Sequence, residues 1–216
     1  MPNKIIQIAI DSPAASGAGT QAKLISKFFN LYYLDTGKLY RILGKIYLNN
    51  KKKINYKIFE NKIKNTKPFE LGSKKLLRND IGMAAAYLAK DKKIRKFVTN
   101  YQIKISEKPP KKFLGVCLDG RDITYNIMPN ADVKFFMTAN LKERSERRYK
   151  ELRKLNHKIT KKEVYKSIKE RDKSDFTRKI SPLRRTKDSI LIDTSYISIN
   201  ECFTKLKKII KKKLNK

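Results

Sequence analysis

The sequence is poor in the residues that build metal centres, disulfide frameworks and membrane spans. Its 216 residues include one histidine and two cysteines, Cys117 and Cys202, which lie far apart and outside any metal-binding or redox spacing. We interpret both cysteines as buried thiols in a reduced compartment. The sequence also shows no signal peptide and no apolar run long enough to cross a bilayer, so we expect a cytoplasmic protein without a membrane partner.

Acidic residues are scarce as well. Asp and Glu number 20 against 53 Lys and Arg, which gives a formal net charge of +33. Such a charge favours weak, salt-sensitive adhesion to RNA or DNA. The lysines, however, are spread along the whole chain, and the aromatic residues are not placed as stacking partners beside basic runs. We therefore expect no specific nucleic-acid partner.

What the sequence does contain is a series of short apolar runs that alternate with helical patterns. Its length fits one domain over residues 1–216. The runs predict β-strands at residues 5–10, 31–34, 113–118, 133–137 and 190–193. Their alternation with helices predicts an α/β fold with a five-stranded parallel sheet covered by helices on both faces. Residues 49–75 are rich in Lys and Asn and predict a peripheral insertion with little core of its own.

The first apolar run leads into a stretch of small residues that has the outline of a phosphate-binding loop. This loop comprises Ser12, Pro13, Ala14, Ala15, Ser16, Gly17, Ala18, Gly19 and Thr20. Small side chains allow backbone N–H groups to approach a ligand, and the N-terminus of the following helix favours an anion. The strict pattern G-x-x-x-x-G-K-[ST] is not met, since Ser12 replaces the first glycine and Ala18 replaces the lysine. A tight strand-to-helix turn without a ligand is the alternative at this point.

Three further motifs follow later in the chain. They are Asp35-Thr36-Gly37 with Tyr40-Arg41, then Asp119-Gly120-Arg121-Asp122, and finally Ile168, Arg171-Asp172, Asp175 and Arg178 on a late helix. The first two lie at the ends of predicted strands, where open α/β sheets bind ligands. Together with the small-residue loop, these motifs resemble those of the bacterial cytidylate (CMP) kinase family. The likeness runs from Ile5 to the closing helix.

The resemblance implies a P-loop nucleoside monophosphate kinase fold. It implies an ATP-dependent enzyme of pyrimidine nucleotide metabolism that transfers the γ-phosphoryl group of ATP to CMP or dCMP, with Mg²⁺, to give CDP or dCDP. An acceptor-binding insertion over about residues 36–110 and a lid over about residues 144–180 would belong to the single domain. We expect a monomer, and the ligands of the magnesium ion are left unassigned.

The resemblance also implies roles for individual residues. Residues 12–20 would hold the phosphates of ATP. The CMP site would comprise Asp35, Thr36, Tyr40, Arg41, Arg95, Arg121 and Asp122. Of these, Arg95 and Asp122 would read cytosine, because its amine suits a carboxylate and its carbonyl suits a guanidinium. The lid would add Arg171, Asp175 and Arg178, and Arg144, Arg147 and Arg148 would clamp ATP.

The loss of the loop lysine at Ala18 is the most serious departure from the family pattern. It leaves open a catalytically impaired nucleotide-binding protein of the same fold. Lys38, at a position where the family often has a small residue, is a candidate replacement for the missing charge, as are the lid arginines. Lys23 is closer in sequence but lies one turn along the first helix, so we expect it to point away from the loop. A second departure is Ala86, where the family usually offers a serine to the base.

Overall fold

The computed structural model describes residues 4–154 and 158–215. Its centre is a five-stranded sheet in the order β2-β3-β1-β4-β5, and every neighbouring pair is parallel. The strands are β1 (Ile6–Asp11), β2 (Leu31–Asp35), β3 (Gly115–Gly120), β4 (Val133–Thr138) and β5 (Ile190–Asp193). The predicted α/β class, strand number and parallel pairing are therefore confirmed.

Nine α-helices connect or flank these strands within the described ranges. They are α1 (Ala18–Phe28), α2 (Thr36–Asn49), α3 (Tyr56–Lys64), α4 (Pro68–Leu71), α5 (Asn79–Leu88), α6 (Lys92–Glu107), α7 (Leu141–Lys154), α8 (Lys161–Thr177) and α9 (Ile199–Leu214). A short 3₁₀-helix spans Lys74–Leu77 and a π-helical turn spans Ile123–Ile127. Of the described helices, none is both long and apolar enough to cross a membrane.

The sheet is buried on both faces, which explains why its strands read as continuous apolar runs. Successive side chains of a strand point to opposite faces. In β1, Ile8 and Ile10 pack with residues of α1 and α9, whereas Ala9 packs with residues of α2, α3 and α6. Cys117 and Cys202 are buried free thiols, as predicted.

The prediction for residues 49–75 is wrong. Helix α3 places Phe59 and Ile63 entirely inside the core, beside Leu43 and Leu88, and Leu71 of α4 is buried in the same cluster. Phe59 and Ile63 are four residues apart, so one narrow stripe of a lysine-rich helix is enough to anchor it. This region is therefore an integral part of one wall of the domain.

Capping explains several helix boundaries. Asn140 accepts a hydrogen bond from the backbone N–H of Glu143 at 2.8 Å and so caps the start of α7. Thr160 and Glu163 form a reciprocal capping box that starts α8. Thr36 is the first residue of α2, and Asp35 occupies the cap position. The Thr36 hydroxyl instead donates to the backbone oxygen of Asp119 at 2.8 Å, which ties α2 to β3.

Candidate functional site

The loop between β1 and α1 opens the site. The backbone N–H of Ser12 donates to the oxygen of Gly120 at 3.1 Å, and Gly17 adopts a left-handed conformation with φ of 89° immediately before the helix. Glycine tolerates this conformation without steric cost. Ala15 also has a positive φ, of 60°. This loop therefore presents backbone groups at the N-terminus of α1, where an anion is favoured.

The two departures from the phosphate-loop pattern have different consequences. Ser12 is buried and is not among the described residues with positive φ, so its conformation does not require glycine. Ala18 is 3% exposed and packs in the core with Ala22 and Ile25. No cation can act from position 18, and the serine at position 12 is accommodated without backbone strain.

A cavity of about 550 Å³ extends from this loop across the carboxyl edge of the sheet. All of residues 12–20 line one end of it. The opposite end is lined by one face of α5, at Gly82, Met83, Ala86 and Tyr87, and by Lys90 just after that helix. Helix α8 covers the cavity and touches α5, since the Ser167 hydroxyl lies 3.3 Å from Asn79 Oδ1. One cavity thus joins the phosphate loop to the region expected to bind the acceptor.

Two carboxylates lie on the cavity wall between these ends. Asp35 and Asp119 end neighbouring strands and are paired in register. Burial and the nearby charge of Asp35 raise the pKa of Asp119 to about 8, and Arg121 and Lys38 act in the opposite direction. A Cβ atom on Gly19 would lie 3.6 Å from Asp119 Oδ2, which places this carboxylate beside the N-terminus of α1.

Arginines converge on the same cavity. Arg41, Arg121, Arg148 and Arg171 all line it. Burial lowers the pKa of Arg41 to about 9, and Arg171 and Arg148 lower it further by repulsion. Burial and the charge of Arg121 lower the pKa of Arg171 to about 10. Buried guanidiniums that repel one another form a strongly electropositive pocket, which is a binding site for phosphate-like anions.

Asp175 on α8 holds part of this cluster together. Its carboxylate accepts a hydrogen bond from Arg121 Nε at 2.8 Å, and it lies 3.4 Å from Arg178 and 3.9 Å from Arg171. Burial would raise the pKa of Asp175, but the charges of Arg121 and Arg171 outweigh it and hold that pKa below its usual value. Arg178 also donates to the oxygen of Ser181 and does not border the cavity.

The residues expected to read cytosine are paired with each other. Arg95 Nη2 lies 2.5 Å from Asp122 Oδ2, and both residues are buried. The ring of Tyr40 lies 5.8 Å from the Arg95 guanidinium. Arg95, Asp122, Tyr40 and Thr36 stand behind the cavity wall and do not line it. Arg95 Nε is buried and has no hydrogen-bond partner within residues 4–154 and 158–215, so one donor there is unsatisfied.

The three arginines of α7 take separate positions. Arg144 is buried, pairs with Asp172 at 2.6 Å and donates to the backbone oxygen of Ala14 in the loop at 3.2 Å. Arg147 donates to the hydroxyl and the backbone oxygen of Thr194, and its Nη1 would lie 3.9 Å from a Cβ on Gly17. Arg148 alone of the three lines the cavity.

The sequence reasoning missed several residues that line the cavity. Met83 and Tyr87 lie on an exposed face of α5, and Lys90 is exposed just after the helix, so no buried apolar stripe marked them. Lys23 also lines the cavity, so the expectation that it points away from the loop is wrong. Asp119 was part of a recognised motif, and its position at a strand end was the signal for its role.

Known proteins resemble this chain over nearly its full length. A family model described as cytidylate kinase matches residues 8–212. Proteins named cytidylate kinase from Thermosipho melanesiensis and Carboxydothermus hydrogenoformans are 38% and 35% identical to it, over 96% of this chain and 97% and 98% of theirs. One from Mesomycoplasma hyopneumoniae is 36% identical, over 99% and 97%. A crystal structure of an uncharacterized protein from Eubacterium ventriosum has a TM-score of 0.53 at 16% identity, over 96% of this chain and 99% of that one, and supports the fold alone.

Proposed function

The chain belongs to the cytidylate kinase family, and from that premise we propose that it transfers the γ-phosphoryl group of ATP to CMP or dCMP. The observation that carries the proposal is the single cavity with a phosphate loop at one end and a cluster of buried arginines beside it. Such a cavity suits two phosphorylated nucleotides, because the buried arginines would neutralise the negative charge of their phosphates.

The reaction requires the protein to position two nucleotides and to neutralise the negative charge of their phosphates. An oxygen of the CMP phosphate attacks the γ-phosphorus of ATP, a new P–O bond forms, the bond to the β,γ-bridging oxygen breaks, and ADP leaves. The attacking oxygen is already ionised at neutral pH, so no general base is required. Arg41, Arg121 and Arg171 would hold the acceptor phosphate and the transferring group, since guanidiniums present planar pairs of donors to phosphate oxygens.

The residues of the site fit a magnesium ion. Mg²⁺ is usually held by one or two carboxylates together with substrate phosphates and water. Asp35 and Asp119 supply two neighbouring carboxylates, and Asp119 Oδ1 is buried with no hydrogen-bond partner in the described part of the chain. When bound, the ion would neutralise charge on the phosphates of ATP. Asp35 and Asp119 would orient it beside the N-terminus of α1.

Binding of cytosine would replace contacts that Arg95 and Asp122 make within the protein. Arg95 and Asp122 satisfy each other in this arrangement, and Asn126 also donates to Asp122 Oδ2 at 2.8 Å. Cytosine would replace part of this pairing with hydrogen bonds to its carbonyl, ring nitrogen and amine. The unpaired Arg95 Nε supports the assignment, because a buried donor without an acceptor is costly until a ligand supplies one.

Steady-state measurement of ADP release with CMP, dCMP, UMP and AMP tests the proposal. CMP and dCMP should exceed UMP in kcat/KM by about 10²- to 10⁴-fold, because uracil would face a carboxylate with its own carbonyl. Asp122→Ala should reduce this ratio, whereas Asp80→Ala, at an exposed carboxylate of α5, should leave it unchanged. Equal rates with CMP and UMP in the natural chain would contradict the assignment of the base pocket.

Ala18 favours a second candidate function, a nucleotide-binding protein with little catalysis. The side chain at this position is apolar and buried, so the loop itself offers no cation to the β- and γ-phosphates. The same assay separates the two functions. A binder would show saturable ATP binding and no CDP formation above a control without protein, whereas a kinase would form CDP and ADP in equal amounts.

A further inference from the structure

The proposed reaction lacks a charge that phosphate loops of this type usually provide. In such loops a lysine reaches the β- and γ-phosphates of the nucleotide. Here Ala18 occupies that position and is packed into the core. Loss of a preorganised donor from a site of developing charge typically lowers kcat by about 10²- to 10³-fold. An active enzyme would therefore need a cation from another element of the fold.

Most arginines on the cavity wall are already held by the protein. Arg41 donates to the backbone oxygens of Leu76 and Arg78 at 2.7 and 3.2 Å. Arg121 is bound to Asp175, and Arg148 donates to the oxygen of Leu77. These contacts engage part of each guanidinium, and the fourth arginine of the wall, Arg171, lies 3.9 Å from the Asp175 carboxylate.

Lys38 differs from these arginines. It is the third residue of α2, directly after the carboxyl end of β2, and it lines the cavity together with residues 12–20. Its side chain is 14% exposed, yet it makes no hydrogen bond to any residue in the described ranges. Its nearest carboxylate is Asp35, with 3.9 Å between Nζ and Oδ2. Lys38 Nζ is not among the described buried atoms that lack a hydrogen-bond partner, so water reaches it and its three donors are available to a ligand that enters the cavity.

Contacts along the cavity wall show how close Lys38 lies to the phosphate-binding loop. Lys38 Nζ lies 3.9 Å from Asp35 Oδ2, and Asp35 is paired in register with Asp119 across β2 and β3. Asp119 Oδ2 would in turn lie 3.6 Å from a Cβ on Gly19, in the first turn of α1. Lys38, Asp119 and Gly19 therefore follow one another along the cavity wall, which brings the ammonium group to the end where the phosphates of ATP would bind.

We infer that Lys38 supplies the cation that the loop lysine provides elsewhere, binding the β- and γ-phosphates of ATP and the transferring phosphoryl group. This inference rests on the proposed function. Lys23 and Lys90 also line the cavity, but both are exposed, and exposed charges interact weakly because water screens them. Lys38 is the better placed of the three, since its side chain is enclosed beside Asp35 and Asp119.

Reciprocal substitution tests the inference in the full chain. Lys38→Met should lower kcat by about 10²- to 10³-fold with CMP and ATP. Adding Ala18→Lys to Lys38→Met should recover at least tenfold of the lost kcat, because it returns a cation to the phosphate end of the cavity. Lys45→Met, at an exposed lysine of the same helix, is the matched control and should stay within twofold of the natural chain. Lys38→Gln, which retains a hydrogen-bond donor, is measured beside Lys38→Met in case the apolar variant unfolds.

Binding measurements separate failure of this inference from failure of the proposed function. If the natural chain forms no CDP, the proposed function is wrong, and the affinities for ATP and AMP at the loop still decide the role of Lys38. Lys38→Met should then weaken ATP by at least tenfold and AMP by less than twofold, because AMP lacks the phosphates that Lys38 would hold. The inference is overturned if Lys38→Met and Lys38→Gln keep kcat and ATP affinity within threefold of the natural chain, or if Lys23→Met causes the loss instead.

Discussion

Replacing Asp175 by asparagine would remove a carboxylate that Arg121, Arg171 and Arg178 share. Asp175 is 4% exposed, and the three guanidiniums lie 2.8, 3.9 and 3.4 Å from its oxygens. Breaking a buried ion pair by removing one partner costs about 3–5 kcal/mol, because the remaining charge stays buried and uncompensated. For a protein of this size each kcal/mol lowers Tm by about 2–4 °C, so we expect a Tm about 6–20 °C lower.

Thermal unfolding followed by circular dichroism measures this effect. Asp80→Asn is the matched control, because Asp80 pairs with Arg78 at an exposed site where an ion pair contributes about 1 kcal/mol or less. Inorganic phosphate should raise the Tm of Asp175→Asn more than that of the natural chain, since the freed arginines would bind the anion. A Tm within 2 °C of the natural chain, with an equal response to phosphate, would refute the reasoning.

The difference in stability between the natural chain and Asp175→Asn should change with pH in a definite direction. The pKa of Asp175 is lower in the folded protein than in the unfolded chain, where it has the ordinary value of 3.8. A carboxyl with a lowered pKa contributes stability above the unfolded pKa and loses it as the pH falls through the folded pKa. The stability advantage of the natural chain over Asp175→Asn should therefore be constant from about pH 7 to pH 5 and shrink only below about pH 4.

Substitutions at three further positions test the core, a close backbone contact and the lid. Phe59→Ala should cost about 3–5 kcal/mol in denaturant unfolding, because its ring is fully buried; a cost below 1 kcal/mol would restore the peripheral-insertion interpretation. Gly120→Ala should destabilise by about 1–3 kcal/mol, since its Cβ would lie 2.5 Å from Thr36 Oγ1, and an unchanged unfolding midpoint would contradict that clash. Arg178→Ala should lower kcat. Arg178→Lys should recover little of it, because the point charge of an ammonium group cannot replace the planar guanidinium. A change in KM for CMP alone would assign Arg178 to acceptor binding.

The positions of the strands and of the loop were predictable because a parallel sheet buried on both faces leaves continuous apolar runs. The ends of those runs placed Asp35 and Asp119 at one edge of the sheet without any knowledge of the structure. The raised pKa of Asp119 was not predictable, because it depends on burial and on the register that sets β2 beside β3.

Other parts of the site were hidden from the sequence for physical reasons. Arg95 lies outside the apolar stripe of α6 and is nevertheless buried, because Asp122 from a distant segment neutralises it. Phe59 and Ile63 are surrounded by lysines and by Asn, so two residues of one stripe gave too weak a pattern to predict a core helix. Lys38 was a candidate from the family resemblance, but the exposure of its side chain, 14%, and its place on the cavity wall with the phosphate loop depend on the tertiary structure.

The central claim is that a chain with alanine in place of the loop lysine still transfers a phosphoryl group to CMP. Direct quantification of nucleotides by chromatography, after incubation of the full chain with ATP, Mg²⁺ and CMP, tests it without coupling enzymes. The account predicts that CDP and ADP form in equal amounts and that UMP in place of CMP gives far less product. Saturable ATP binding with no CDP above the level of a control without protein would contradict it.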